Sequence, residues 1–112
     1  MTKQNALNLP FVTPTWTPLT LQGGWQDYGA PYLASSYAIF LKILFLRGVI
    51  KGGANGIFAQ IPTSLAPSSV LYFKILASDI NAYVSIDTSG NLTVYTTNNS
   101  YVFLNQIMYL IL

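Results

Sequence analysis

The chain has no cysteine, no histidine and no glutamate. Without cysteine there are no disulfides, no thiolate metal ligands and no thiolate nucleophile, which excludes a small disulfide scaffold and fits a protein made in a reducing cytoplasm. Without histidine the commonest general base and the usual zinc ligand are missing as well. The carboxylates are Asp27, Asp79 and Asp87. None stands in a recognisable catalytic motif, and Asp87 has a sufficient role in a turn. The expectation is a protein that is not an enzyme and uses no cofactor and no metal. Lys51-Gly-Gly-Ala-Asn-Gly56 places its lysine before the glycines and lacks a closing Gly-Lys-Ser/Thr, so it reads as a strand connection rather than a phosphate loop. Asp87 to Asn91 offers oxygen ligands but lacks the further carboxylates of a calcium loop, and reads as a turn.

Charge is scarce too, at 7% of 112 residues, against about 25% in an ordinary soluble domain. The basic residues Lys3, Lys42, Arg47, Lys51 and Lys74 are scattered. Nucleic acid is therefore not an expected partner, despite the net charge of +2. Residues 1–15 contain no continuous apolar run, and Pro10 and Pro14 would break one, which argues against a cleaved signal peptide. The most apolar stretch, residues 37–50, is interrupted by Lys42 and Arg47 and closed by Gly52-Gly53, too short for a membrane span of about 20 residues. No membrane insertion is expected, and a small membrane-associated protein is the weakest alternative.

What the chain does have is apolar and aromatic side chains, 52% and 14% of residues. Val, Ile, Thr, Tyr and Phe cluster in short runs separated by Gly, Pro, Asn and Ser, the pattern of strands and turns, and the length suits a single domain. Residues 1–15 read as an extended attachment segment and residues 16–112 as the folded domain. Strands are predicted near 16–21, 25–28, 31–34, 37–50, 57–61, 70–77, 82–86, 91–95 and 107–112. The clearest unit is the last hairpin. Val84, Ile86, Leu92 and Val94 share one parity, Tyr83, Ser85, Thr93 and Tyr95 the other, and Asp87 to Gly90 turns the chain. In Ile39 to Leu46 and Ile107 to Leu112 the alternation fails, because both parities are apolar. A second buried face against identical subunits accounts for this, with Phe40, Ile43, Phe45, Met108 and Leu110 as candidate contacts. A strongly curved sandwich that wraps these strands centrally accounts for it as well.

Two stretches combine rings with amides: Trp25, Tyr28, Tyr32 and Tyr37, then Tyr95, Asn98, Asn99 and Tyr101. Flat rings cover the apolar face of a saccharide while phenols and amides bond its rim, so Trp25, Tyr28, Tyr32, Tyr37, Asn98, Asn99 and Tyr101 are candidate receptor- or glycan-binding residues. In a β-domain the same aromatics also serve as packing.

The ordered segments GGWQDYGAPY, LRGVIKGG, IFAQIPTSLAPSSVLYF, VSIDTSGNLTVY and VFLNQIMYL resemble the C-terminal tip domain of bacteriophage tail-fibre and receptor-binding proteins over residues 16–110. The resemblance implies a small antiparallel, jelly-roll-like β-sandwich assembled as a homotrimer about a fibre axis. It implies a virion protein of the tail fibre that docks to another virion tail or fibre protein through residues 1–15 and whose distal loops contact a host-surface saccharide or protein. A purely structural virion subunit, in a collar, baseplate or decoration, is the alternative. The pattern departs from the family where a short Asp-Gly or Asn-Gly hairpin should precede the Arg-Gly strand. Ala38-Ile-Phe-Leu-Lys-Ile43 stands there instead, and the turn is expected to be lost.

Overall fold

A computed structural model of the chain describes residues 14–111. Apart from Pro14 and Thr15, the expected attachment segment lies outside the described residues. Eleven antiparallel strands and one 3-10 turn, Thr63–Leu65, make up the regular structure of the described part. The strands are β1 (Thr17–Pro18), β2 (Gln26–Asp27), β3 (Ser36–Phe40), β4 (Ile43–Arg47), β5 (Val49–Lys51), β6 (Gly56–Gln60), β7 (Leu71–Lys74), β8 (Tyr83–Ile86), β9 (Asn91–Tyr95), β10 (Val102–Phe103) and β11 (Met108–Leu110).

They form three sheets, ordered β1-β3-β4-β11, β10-β5-β2 and β6-β9-β8-β7. The first two are halves of one bent surface. β4 runs into β5 through Gly48, and backbone bonds from Leu46 N–H to the Ile107 carbonyl (3.0 Å) and from Leu104 N–H to the Gly48 carbonyl (2.9 Å) carry the pairing across the corner. Gly48 has φ +115°, and a Cβ there would lie 2.6 Å from Ser35 Cα, so the corner accepts only glycine. The third sheet closes the sandwich. Leu44, Leu46, Ile50 and Tyr109 meet Phe58, Val84, Ile86, Leu92 and Val94 in one continuous core. A bulge in β6 between Ile57 and Ala59 turns two successive residues, Phe58 and Ala59, into that core. Tyr109 donates its hydroxyl to the Leu65 carbonyl (2.6 Å), which satisfies its one polar atom inside the core, and burial pushes its phenol pKa up.

The β8–β9 hairpin follows the predicted parity: its inward residues are fully buried. Asp87 accepts the N–H groups of Ser89 (2.8 Å) and Asn91 (3.0 Å). Other expectations need correction. Residues 31–34 form no strand; they belong to a loop that begins with the cis Ala30-Pro31 bond. Residues 37–50 form three strands rather than one. The hairpin expected to be lost is present, because Phe40 pairs with Ile43 across a two-residue loop, Leu41-Lys42, with φ of +52° and +64°. Positive φ at both central residues is the type I′ combination, the one that matches the twist of a two-residue hairpin. The sequence gives no sign of it because neither residue is Gly or Asn. Replacing both, Leu41→Asn with Lys42→Gly, should relieve the backbone and stabilise the domain by about 1 kcal/mol, read as a higher midpoint in urea unfolding.

Candidate functional site

Register decides which side chains share a face. On the bent sheet's outer side, Val49 lies opposite Phe103, and the Tyr28 N–H bonds the Val49 carbonyl (2.8 Å), so Tyr28, Val49 and Phe103 project together. The turn that follows closes from Tyr32 N–H to the Gly29 carbonyl (3.0 Å) and folds Tyr32 back against Tyr28. Tyr101 stands just before β10 and Leu76 comes from the segment that pairs with it, where Phe103 N–H bonds the Leu76 carbonyl (2.9 Å) and Ser78 N–H the Tyr101 carbonyl (3.1 Å).

Tyr28, Tyr32, Val49, Leu76, Tyr101 and Phe103 line a cavity of about 370 Å³. Its rings make a chain of edge-to-face contacts: Tyr28 to Tyr32 at 5.3 Å, Tyr32 to Phe103 at 5.4 Å, and Phe103 to Tyr101 at 5.8 Å between centroids. Each contact pairs a positive ring edge with a negative face, which holds the wall in one arrangement. The Lys51 ammonium lies 5.0 Å from the centroid of Tyr28.

The same two segments continue into a second, polar groove of about 340 Å³, lined by Gly53, Ala54, Asn55, Thr96, Thr97, Asn98 and Asn99. Its amides are half engaged. Asn55 Oδ1 accepts Thr96 N–H (2.8 Å), Asn98 Oδ1 accepts Ser100 N–H (3.0 Å), and Asn99 Nδ2 donates to the Gly53 carbonyl (2.8 Å). One end of each side chain is fixed by backbone, leaving the other end to offer bonds: an NH₂ from Asn55 and Asn98 and a carbonyl from Asn99. Such a groove presents neutral donors and acceptors rather than a charge.

Of the candidates named from sequence, Tyr28, Tyr32 and Tyr101 converge in the aromatic cavity, and Asn98 and Asn99 in the groove beside it. Trp25 is displaced from the set because it is only 4% exposed. Its ring lies against Gly53, where a Cβ would overlap it, and its Nε1–H donates to the Ala54 carbonyl (2.8 Å). Trp25 thus fixes the floor of the amide groove from behind. Tyr37 is likewise removed: on β3 its partner is Leu46, and it packs against the core. Phe103, Leu76 and Val49 went unnoticed in sequence. Only the i, i+2 spacing of Tyr101 and Phe103 hinted at a shared face.

The candidate contact residues also share a face. Leu44 and Leu46 point into the core, so Ile43 and Phe45 point out, and pairing places Phe40, Met108 and Leu110 beside them. Met108 and Leu110 are 56% and 55% exposed on an edge strand. Arg47, the charge on this face of β4, is already engaged: its guanidinium lies 4.0 Å above the Trp16 ring and its Nε–H donates to Ser36 Oγ (3.0 Å).

Among the described residues no group of three or more His, Cys, Asp or Glu side chains could hold a metal ion. No described helix is long and apolar enough to cross a membrane.

Fold and surface together define an antiparallel β-sandwich with a ring-lined cavity and an amide groove. No family model matches the sequence, and no curated protein does. Among solved structures, the chain is similar to the receptor binding protein (gp15) of Listeria phage PSA, with a TM-score of 0.67 at 19% identity. The match covers 89% of this chain and 66% of that one, so the chain spans about two thirds of its neighbour's length. The likeness is one of fold.

Proposed function

We propose that the chain is a non-enzymatic receptor-binding module of a bacteriophage virion, carried on the tail fibre and recognising a saccharide of the host surface. The observation that carries this reading is the convergence of Tyr28, Tyr32, Tyr101 and Phe103 into one cavity that opens beside the Asn55, Asn98 and Asn99 amides. Rings for the apolar face of a sugar and fixed amides for its hydroxyls are what saccharide recognition requires. The fold shared with a phage receptor-binding protein supports the same reading.

Copies of the chain associate, in this proposal as a homotrimer, through the outer face of β3, β4 and β11. A second copy is the fitting occupant because register gathers Phe40, Ile43, Phe45, Met108 and Leu110 into one apolar face, and the charge beside it, Arg47 at the end of β4, already lies over the Trp16 ring. Association matters for function. Weak saccharide sites held on one rigid assembly bind a repetitive surface far more tightly than any single site.

Fluorescently labelled chain applied to a panel of intact bacteria tests the recognition step. Binding to at least one strain is expected, together with a drop of tenfold or more for the Tyr32→Ala and Tyr101→Ala double variant. Equal binding by the variant would remove the cavity from the proposal.

A further inference from the structure

On the outer face of the third sheet, register sets Tyr83 opposite Tyr95, and their rings stack at 4.6 Å with an interplanar angle of 21°. Tyr72 extends the row, 5.9 Å from Tyr83 and 68% exposed. None of these rings belongs to the cavity described above. Tyr83 and Tyr95 instead line a separate cleft of about 210 Å³ with Asn55, Asp79, Asn81, Thr96 and Thr97.

Asp79 is held firmly in that cleft. It accepts Asn81 N–H (2.9 Å) on one carboxylate oxygen and Thr97 N–H (2.8 Å) and Oγ1–H (2.9 Å) on the other. Those bonds, Thr97 N–H foremost, keep its carboxyl below the ordinary carboxylate value, so it is an anion at neutral pH. Three of its roughly four acceptor positions are taken, and one remains for a hydroxyl or ammonium donor.

At about 210 Å³ the cleft is smaller than pockets that enclose a whole ligand, roughly 300–1,000 Å³. It is not isolated, because Asn55, Thr96 and Thr97 also line the amide groove. We propose that cleft and groove are adjoining subsites of one track for an oligosaccharide, and that the Tyr83–Tyr95 and Asp79 subsite takes a neutral or amino sugar and rejects an acidic one. The inference rests on the reading that the chain recognises a saccharide, and adds where the polymer runs and what chemistry its next ring has. Stacked phenols supply a ring surface, Asp79 accepts from the sugar, and its fixed negative charge repels a uronic acid carboxylate in a site too exposed to force protonation.

The test is a titration of the ¹⁵N-labelled full chain, followed by amide shifts, with trimers of N-acetylglucosamine, glucosamine and galacturonic acid and with the N-acetylglucosamine monomer. The neutral and amino trimers should move the amides of Asn55, Asn81 and Thr97, and the galacturonate trimer should not. The trimer should bind about tenfold or more tightly than the monomer. Tyr95→Leu should weaken trimer binding roughly three- to tenfold. Asn81→Ala, which leaves the backbone bond to Asp79 in place, should weaken it too. Shifts confined to Tyr32, Leu76 and Phe103 would overturn the track and leave the aromatic cavity standing. Shifts nowhere, with any probe, would overturn both, and galacturonate bound as well as the neutral trimer would overturn the role of Asp79.

Discussion

Met108→Glu combined with Leu110→Glu should convert the proposed trimer to a 12.3 kDa monomer without unfolding it. Both side chains are more than half exposed in the single chain, so the exchange removes little from its core. Beside them, β4 presents Phe45 opposite Met108 and Ile43 opposite Leu110, an apolar surface on which each new carboxylate would lose its water. Copies would also bring these carboxylates toward one another, and like charges at an interface cost several kcal/mol, which weakens association more than 100-fold. Light scattering on the wild type should give close to three times the chain mass, and on the variant the mass of one chain with an unchanged strand spectrum. A wild type that scatters as a monomer at all concentrations would remove self-association through this face.

The second large effect is expected at the corner of the bent sheet. Gly48→Ala adds a methyl group 2.6 Å from Ser35 Cα, on backbone that an L side chain resists at φ +115°. Two costs coincide, the strained dihedral and a clash with main chain that has no rotamer to relax into, and together they amount to about 3 kcal/mol or more. That is a large share of the roughly 5–15 kcal/mol that holds a domain folded, and should lower the melting temperature by about 12 °C or more. Gly56→Ala is the internal control. Gly56 has φ +131°, but nothing lies within 4 Å of the added Cβ, so it tests the dihedral alone and should cost less than half as much. Equal losses at the two positions would mean that Ser35 gives way and the corner is softer than its geometry implies.

Much of the fold was legible because it is local. The β8–β9 hairpin announces itself through strict alternation and an Asp-to-Gly turn whose carboxylate bonds its own backbone. That Phe40, Ile43, Phe45, Met108 and Leu110 belong together was legible from two-sided apolar runs in separate parts of the chain, and register places all five on one outer face of β3, β4 and β11. The Leu41-Lys42 turn was not legible, since its positive φ values are imposed by the pairing of Phe40 with Ile43 rather than by turn residues. Composition also cannot separate a ring that binds from a ring that packs. Trp25 and Tyr28 stand three positions apart, yet one fixes a loop from inside while the other faces the cavity. Leu76 and Phe103 were missed because they meet only through cross-strand contacts between distant segments, whereas Tyr83 and Tyr95 share a readable parity of one hairpin and only Tyr72 needs the β7–β8 pairing to join them.

The most direct test of the central claim, that this module recognises the host for a virus, is competition. Purified chain added to susceptible bacteria before infection by the phage that carries it should reduce plaque formation in a dose-dependent way. The Tyr32→Ala and Tyr101→Ala variant should protect at least tenfold less well at equal concentration. Full infectivity at saturating wild-type chain would contradict the account and favour a subunit that binds only other proteins of the particle.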